Sequence, residues 1–370
     1  MKRCCVKVGK WHRYASVFAA LALGAATVAT AQDAPSEEAK AQTPSGMFRQ
    51  AYELAKTAED EDGLNKIIDL CQQGLAARPG DRETKYANDL LAWAYNKRGE
   101  ARADLGQESE AMADFEQSLQ LDPNRWLALH NRGVSHGMAG NLEAAMADFN
   151  RVVQLNPNFL KALYNRGELR FKRGDLAGAI ADYTAALRLD PRDAGALTSR
   201  GFAHYSRGDY RNAMRDYNQA LQVDPNNAET YTLRGDAYAD QAQFPQAVAD
   251  YQAAVRANPE YGRVYQSSAW LRATCPAQQF RHTEVALRNA QKAIDLDGEG
   301  DHRYLETLAA AQANAGQFED AKATQARAIE AAKAAGVSQQ AANRMQERLT
   351  LYESGRPYRD VRPGVPQPRQ

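Results

Sequence analysis

The sequence predicts an all-α fold, a solenoid of about eight antiparallel helix pairs of which five are regular. Three observations carry that prediction. Pro123, Pro157, Pro191, Pro225 and Pro259 recur every 34 residues. Arg-Gly pairs beginning at Arg98, Arg132, Arg166, Arg200 and Arg234 keep the same step. So do Asp114, Asp148, Asp182, Asp216 and Asp250, each followed by Phe or Tyr, with Ala111, Ala145, Ala179, Ala213 and Ala247 in phase. Within the copy at 160–193, Leu163, Tyr164, Gly167 and Phe171 stand at helical spacing before a Gly174-Asp175 break. Leu176, Ala179, Ile180, Tyr183 and Leu187 then supply a second helix that stops at Asp190-Pro191. Gly167 and Ala179 allow close approach of the two helices, and Tyr183 is expected to fill space against the next copy. A pair this small cannot bury its apolar face alone, so copies must stack.

Taken in chain order, Lys2, Arg3, Lys7, Lys10 and Arg13 precede an apolar run from Ala15 to Ala29, and Ala29-Thr30-Ala31 follows as a small-x-small site. Residues 1–31 therefore read as a signal peptide cleaved after Ala31. Its apolar run of about 15 residues falls short of the roughly 20 that span a bilayer. The expected product is exported, periplasmic or secreted, with no membrane insertion after cleavage. Cys4 and Cys5 precede the apolar run, so neither can be a lipoprotein cysteine. Residues 32–46 are polar without an apolar period and read as a flexible linker. Residues 47–91 read as a degenerate N-terminal helical repeat and extension, and 92–261 as the five regular repeats. Residues 262–335 continue as two degenerate helix pairs, the first interrupted at Thr274-Cys275-Pro276. Residues 336–354 read as a capping helix, because a solenoid end needs a polar outer face. Residues 355–370, with Pro357, Pro363, Pro366 and Pro368, read as a disordered Pro-rich tail, with an extended, dockable polyproline segment as the alternative.

The 370 residues hold 46 basic and 46 acidic side chains, 44% hydrophobic residues and a mean hydropathy of −0.64. This composition argues against wholesale disorder, a multispan membrane protein or a nucleic-acid partner. Without residues 1–31 the net charge is about −5. Only Cys71 and Cys275 then remain, which is no disulfide framework. Cys71 lies on the apolar stripe of Ile67, Ile68, Leu70 and Leu75. No metal, cofactor or catalytic motif is present, and the glycines sit inside helices rather than after strands, where a phosphate cradle would need them. His136 and His204 share one repeat phase and read as packing residues. The chain is not expected to be an enzyme.

The 34-residue period, the small residue in the first helix, the A-x3-[FY] spacing and the terminal proline together resemble the tetratricopeptide repeat, over residues 92–261. The resemblance implies a right-handed superhelix whose concave wall is lined by the first helix of each pair. Arginine replaces the family's usual leucine before the glycine in every copy. Either each Arg pairs with an Asp across helices, as Arg166 with Asp182, or both are solvated. Beyond 261, Ala269–Pro276 and Tyr304–Ala311 resemble the closing region of exported bacterial members.

Carrying over the family's groove phase gives Trp93, Asn96, Lys97 and Glu100, then His130, Asn131 and Val134. Lys161, Tyr164, Asn165, Glu168, Phe171 and Lys172 follow, then Thr198, Ser199, Phe202 and Tyr205, then Glu229, Thr232, Asp236 and Asp240. Tyr164, Phe171, Phe202 and Tyr205 are expected to cluster, and charge to run from basic at Lys97, Lys161 and Lys172 to acidic at Glu229, Asp236 and Asp240. Asn131 and Lys161 match positions of the family's clamp for chaperone-tail carboxylates. Glu100 and Asn165 depart from it, so the clamp is incomplete. The predicted partner-binding groove is Lys97, Asn131, Lys161, Tyr164, Asn165, Glu168, Phe171, Phe202, Tyr205 and Asp236. Aromatic anchors among amides and charges suit a protein or peptide partner, and imply a non-catalytic scaffold supporting assembly of a complex in the cell envelope. The alternatives are a self-assembling, homo-oligomeric solenoid and a cell-wall glycan binder using the groove aromatics.

Overall fold

The computed structural model describes residues 40–361. The signal peptide, most of the linker and the tail beyond Val361 lie outside the described residues. Among the described residues there are 17 α-helices, one 3-10 turn at Gln278–Phe280 and no strand. The chain divides into two compact units, one ending at Leu90 and one beginning at Leu91.

In the first unit, α1 (Pro44–Ala55) pairs with α2 (Glu61–Ala76), and the start of α3 (Asp81–Asp104) follows. Helix α1 begins inside the segment read as linker. The Thr43 side chain caps it by accepting from the Gly46 N–H, and Pro44 stands in the first turn, where its missing N–H costs nothing. Asp60 caps α2 in the same way, with Glu61 and Asp62 in the first turn to suit the helix dipole. Phe48 lies directly on Gly74, and Ile67, Ile68 and Cys71 are buried on the same helix face.

The second unit holds the rest of α3, then α4 (Glu108–Leu121), α5 (Trp126–Met138), α6 (Leu142–Leu155), α7 (Leu160–Lys172) and α8 (Leu176–Leu189). It continues with α9 (Ala194–Ser206), α10 (Tyr210–Val223), α11 (Ala228–Asp240), α12 (Phe244–Ala257), α13 (Gly262–Thr274) and α14 (Thr283–Asp297). Helices α15 (His302–Asn314), α16 (Phe318–Ala334) and α17 (Gln339–Glu353) close it. Each odd helix from α5 to α15 packs on the even helix after it, and each pair packs on the next: a solenoid of helix pairs closed by one last helix.

The repeated residues explain the packing. A Cβ on Gly99, Gly167, Gly201 or Gly235 would stand 2.6–2.8 Å from the ring of Phe115, Tyr183, Tyr217 or Tyr251. The aromatic thus fills the notch left by its own copy's glycine, and only secondarily the space toward the next copy, where Tyr183 meets Ala203. The turn inside each pair needs a left-handed residue. Gly106, Gly140, Gly174 and Gly208 supply it at φ of 79–82°, and in the fifth copy Ala242 is held at φ 57°.

The Arg-Asp alternative resolves as buried pairing. Arg166 Nε and Nη2 donate to Asp182 at 2.9 and 2.6 Å, and the same two-point bond joins Arg98 to Asp114, Arg132 to Asp148, Arg200 to Asp216 and Arg234 to Asp250. A third arm reaches back to the preceding pair: Arg166 Nη1 to Asn150, Arg200 Nη1 to Thr184 and Arg234 Nη1 to Asn218. Leucine would pack here but could not bridge three helices.

Candidate functional site

The first helices of successive pairs meet along one side of the second unit: α7 with α9, α9 with α11, α11 with α13, and α13 with α15. Side chains cross this wall at a fixed offset of 35 residues, one more than the repeat. Asn131 donates to Asn96, Asn165 Nδ2 lies 3.2 Å from His130 Nε2, Tyr164 and Ser199 share a hydroxyl bond, and Tyr205 donates to Asp240 at 2.7 Å. One repeat step and a shift of a single residue together bring such positions opposite each other.

At the N-terminal end the wall is a closed polar chain. Lys97 pairs with Glu100 at 2.7 Å, Glu100 accepts from Asn96 and Asn131, and Asn131 stands 3.3 Å from His130 Nδ1. His130 is buried, and desolvation lowers its pKa to about 4, so the ring is neutral and can accept from Asn165. In the middle, Phe171 and Phe202 lie 5.1 Å apart, and Phe202 stacks on Tyr205 at 6.1 Å; all three are half-buried. Tyr164 does not join them. Its ring sits 5.7 Å from Tyr183, so of the four rings expected to cluster three form the row, with Tyr210 of α10 edge-on to Tyr205 beside them. Lys161 and Lys172 are exposed at the two ends of α7, and Glu168 accepts from the Tyr183 hydroxyl at 2.6 Å.

The expected basic-to-acidic gradient is also modified. Asp236 accepts from Arg263 at 3.2 Å and from the Tyr251 hydroxyl at 2.9 Å, so a cation stands among the acids. Arg263 was absent from the predicted groove, although it occupies the repeat phase of Lys161 and Glu229 one copy further on. The Arg263 guanidinium lies 6.0 Å from the Phe202 ring and lines a cavity of about 380 Å³. Tyr205, Asp236 and Asp240 form one wall of that cavity, Trp270, Thr274, Arg348 and Asp360 another. The second wall comes from beyond residue 261, where the regular copies end. His204 Nδ1 lies 3.2 Å from Asp209, within its own pair, which agrees with a packing role. Among the described residues no group of His, Cys, Asp and Glu could hold a metal, and no helix is long and apolar enough to cross a membrane.

Family profiles described as "Tetratricopeptide repeat" match residues 92–125, 128–159 and 232–273, and one described as "TPR repeat" matches 167–206 and 203–242. The chain is a tetratricopeptide repeat protein. Solved structures similar to this repeat protein include a tetratricopeptide repeat protein from Parabacteroides merdae, 19% identical over 73% of this chain and 99% of that one, with a TM-score of 0.50. Another is pilF from Pseudomonas aeruginosa, 16% identical over 60% of this chain and 98% of that one, TM-score 0.50. A third is the Cut9–Hcn1 assembly of the APC/C, 13% identical over 75% and 57%, TM-score 0.51. At these identities the likeness is one of fold. No curated protein matches the sequence. Tetratricopeptide repeats in general hold protein or peptide partners.

Proposed function

We propose that this chain is a non-catalytic scaffold of the cell envelope whose first-helix wall holds an extended segment of a protein partner and so supports assembly of a complex. The observation that carries the reading is the row Phe171–Phe202–Tyr205, half-buried on the wall, with Lys161 and Lys172 exposed on α7 and Glu229 exposed on α11. Partly exposed rings supply apolar anchors, and the flanking charges set the direction in which a segment lies. The envelope assignment is supported by the basic-then-apolar opening and the Ala29-Thr30-Ala31 site. Stacking of copies end to end is disfavoured, because the last helix exposes Gln339, Gln340, Asn343, Arg344 and Glu347.

The test couples the chain beginning at Gln32 to a support beside a Phe171→Ala/Phe202→Ala variant of equal helicity, and exposes both to native envelope extract. A protein retained by the first and lost from the second supports the wall as the binding surface. Equal retention moves the site elsewhere. Mass spectrometry of the natural protein checks the other half: an N-terminus at Gln32 supports export, and an intact Met1 in the cytoplasmic fraction refutes it.

A further inference from the structure

We infer that the segment Arg356–Val361 is a removable occupant of the first-helix wall, standing where a partner segment with an aromatic residue followed two positions later by an acidic one would bind. The inference rests on the reading of the wall as a peptide-binding surface, and adds the chemistry of the peptide and the place where it docks.

The sequence places these residues in a tail without structure, but they make specific contacts. Gly355, at φ 66°, turns the chain back after α17. The chain then runs over α13 rather than away from it. The Asp360 N–H donates to the Thr274 carbonyl at 2.9 Å, and Arg359 Nη1 donates to the Ala273 carbonyl at 3.1 Å. Those carbonyls need partners, because α13 ends at Thr274 and the chain leaves the helix at Cys275. Trp270 Nε1 donates to Asp360 Oδ2 at 3.1 Å. The Arg348 guanidinium lies 5.6 Å from the Trp270 ring and 5.2 Å from the Tyr358 ring, held by its bond to Glu306.

Receptor and occupant are thus separable. Trp270, the two carbonyls and the Arg348–Glu306 pair belong to α13, α15 and α17; an aromatic and an acid two residues apart come from a segment with no helix or strand of its own. Main-chain bonds at a helix end combined with side-chain pockets are how extended peptides are commonly held. The occupant also stands in the way. Asp360 lines the same cavity as Tyr205, Asp236 and Arg263, so a partner segment laid along the aromatic row and continued past Tyr205 meets it. The segment's outer residues, Arg356 and Val361, are exposed, and the segment has no helix or strand of its own to hold it in place.

The probe is a fluorescein-labelled synthetic peptide of residues 355–361, titrated against the full chain and against its Tyr358→Ala/Asp360→Ala variant. A tethered occupant acts at an effective concentration of roughly millimolar, so an intrinsic Kd of about 10 μM would be weakened about 100-fold in the unaltered chain. The expected result is binding to the variant and at least roughly ten-fold weaker binding to the unaltered chain. Binding to the variant should vanish when the peptide carries Asp→Asn and Tyr→Ala changes. Equal affinity for both chains, or no binding to the variant, overturns the inference. A second measurement needs no variant: saturating peptide should accelerate hydrogen exchange at the Asp360 amide of the unaltered chain, and unchanged exchange overturns the proposal. Phe202→Ala separates the two readings, since it should abolish capture from extract while leaving this peptide bound. Capture that depends on Phe202 alongside a peptide that never binds refutes the occupant and keeps the wall.

Discussion

Asp216→Ala is the sharpest test of what holds the array together. Asp216 is fully buried and accepts from Arg200 Nε and Nη2 at 2.7 and 2.8 Å, and the Arg200 side chain is 15% exposed. Removing the carboxylate leaves a largely buried guanidinium without its counter-ion, a loss of about 3–5 kcal/mol for pairs of this kind. Arg200 keeps a 3.3 Å bond to Thr184 and some water, which places the expected cost near the lower end, about 3 kcal/mol. Arg215, 3.8 Å away but 66% exposed, adds little. The companion variant is Arg200→Leu/Asp216→Ala, which removes both charges and restores the residue type usual in the family. Its stability should return to within about 1 kcal/mol of the unaltered chain, because an apolar replacement no longer has a desolvated charge to satisfy. Repeat arrays need not unfold in one step, so the readout is hydrogen exchange of the amides of α9 and α10, with the urea midpoint by circular dichroism beside it. A single variant that loses less than about 1 kcal/mol would put the pair in the class of exposed ion pairs and refute the reasoning.

Other predictions follow from the same geometry. His130 has a folded pKa near 4, below the ordinary 6.5, so the unfolded chain takes up a proton first as pH falls. Its contribution should be intact above about pH 6.5 and decline by on the order of 3 kcal/mol as pH drops to about 4, read as the difference in urea midpoint against His130→Gln across that range. Ala242→Gly should stabilise the chain by roughly 0.5–1 kcal/mol, because relief of a left-handed L-residue exceeds the added freedom of the unfolded chain; an unchanged or lower melting temperature would contradict this. Gly167→Ala should destabilise, by about 1–3 kcal/mol in spite of alanine's better helix propensity, because its Cβ would lie 2.7 Å from the Tyr183 ring. Burial pushes the Cys71 thiol up to about 12 and also raises Cys275, so the chain from Gln32 should take up iodoacetamide at neutral pH only after denaturation.

How much of this could be read in advance depended on repetition. Where a residue recurs in five copies, its role is legible, because the same contact must be made five times: Arg166 with Asp182 could be posed as a question on spacing alone. The structure answered it with burial, which spacing does not carry. The aromatic row was half legible. Phe171, Phe202 and Tyr205 share a wall, but Tyr164 is drawn to Tyr183 within its own pair, a competition invisible along the chain. Arg263 and Trp270 keep the phase of Glu229 and Asp236, but they lie past residue 261, where the regular copies end. The return of Arg356–Val361 was hidden by composition: four prolines between 357 and 368 describe what the segment cannot fold into, and say nothing of α13's unsatisfied carbonyls.

The backward arm of each central arginine bears on how such a chain can grow. A 34-residue unit copied whole within the regular array would arrive with a complete fastening. Its own Arg and Asp close on each other, its Asn or Thr offers itself to the unit after, and its Arg reaches the unit before. An internal duplication would therefore need no compensating change at either new seam. Past Pro259 that freedom ends, because Ser268 stands in the arginine's phase and accepts from Asn289 of α14 where the regular copies have an Arg-Asp pair. The array can lengthen from its middle, while its closing copies, once specialised, are inherited as a single fixed end piece.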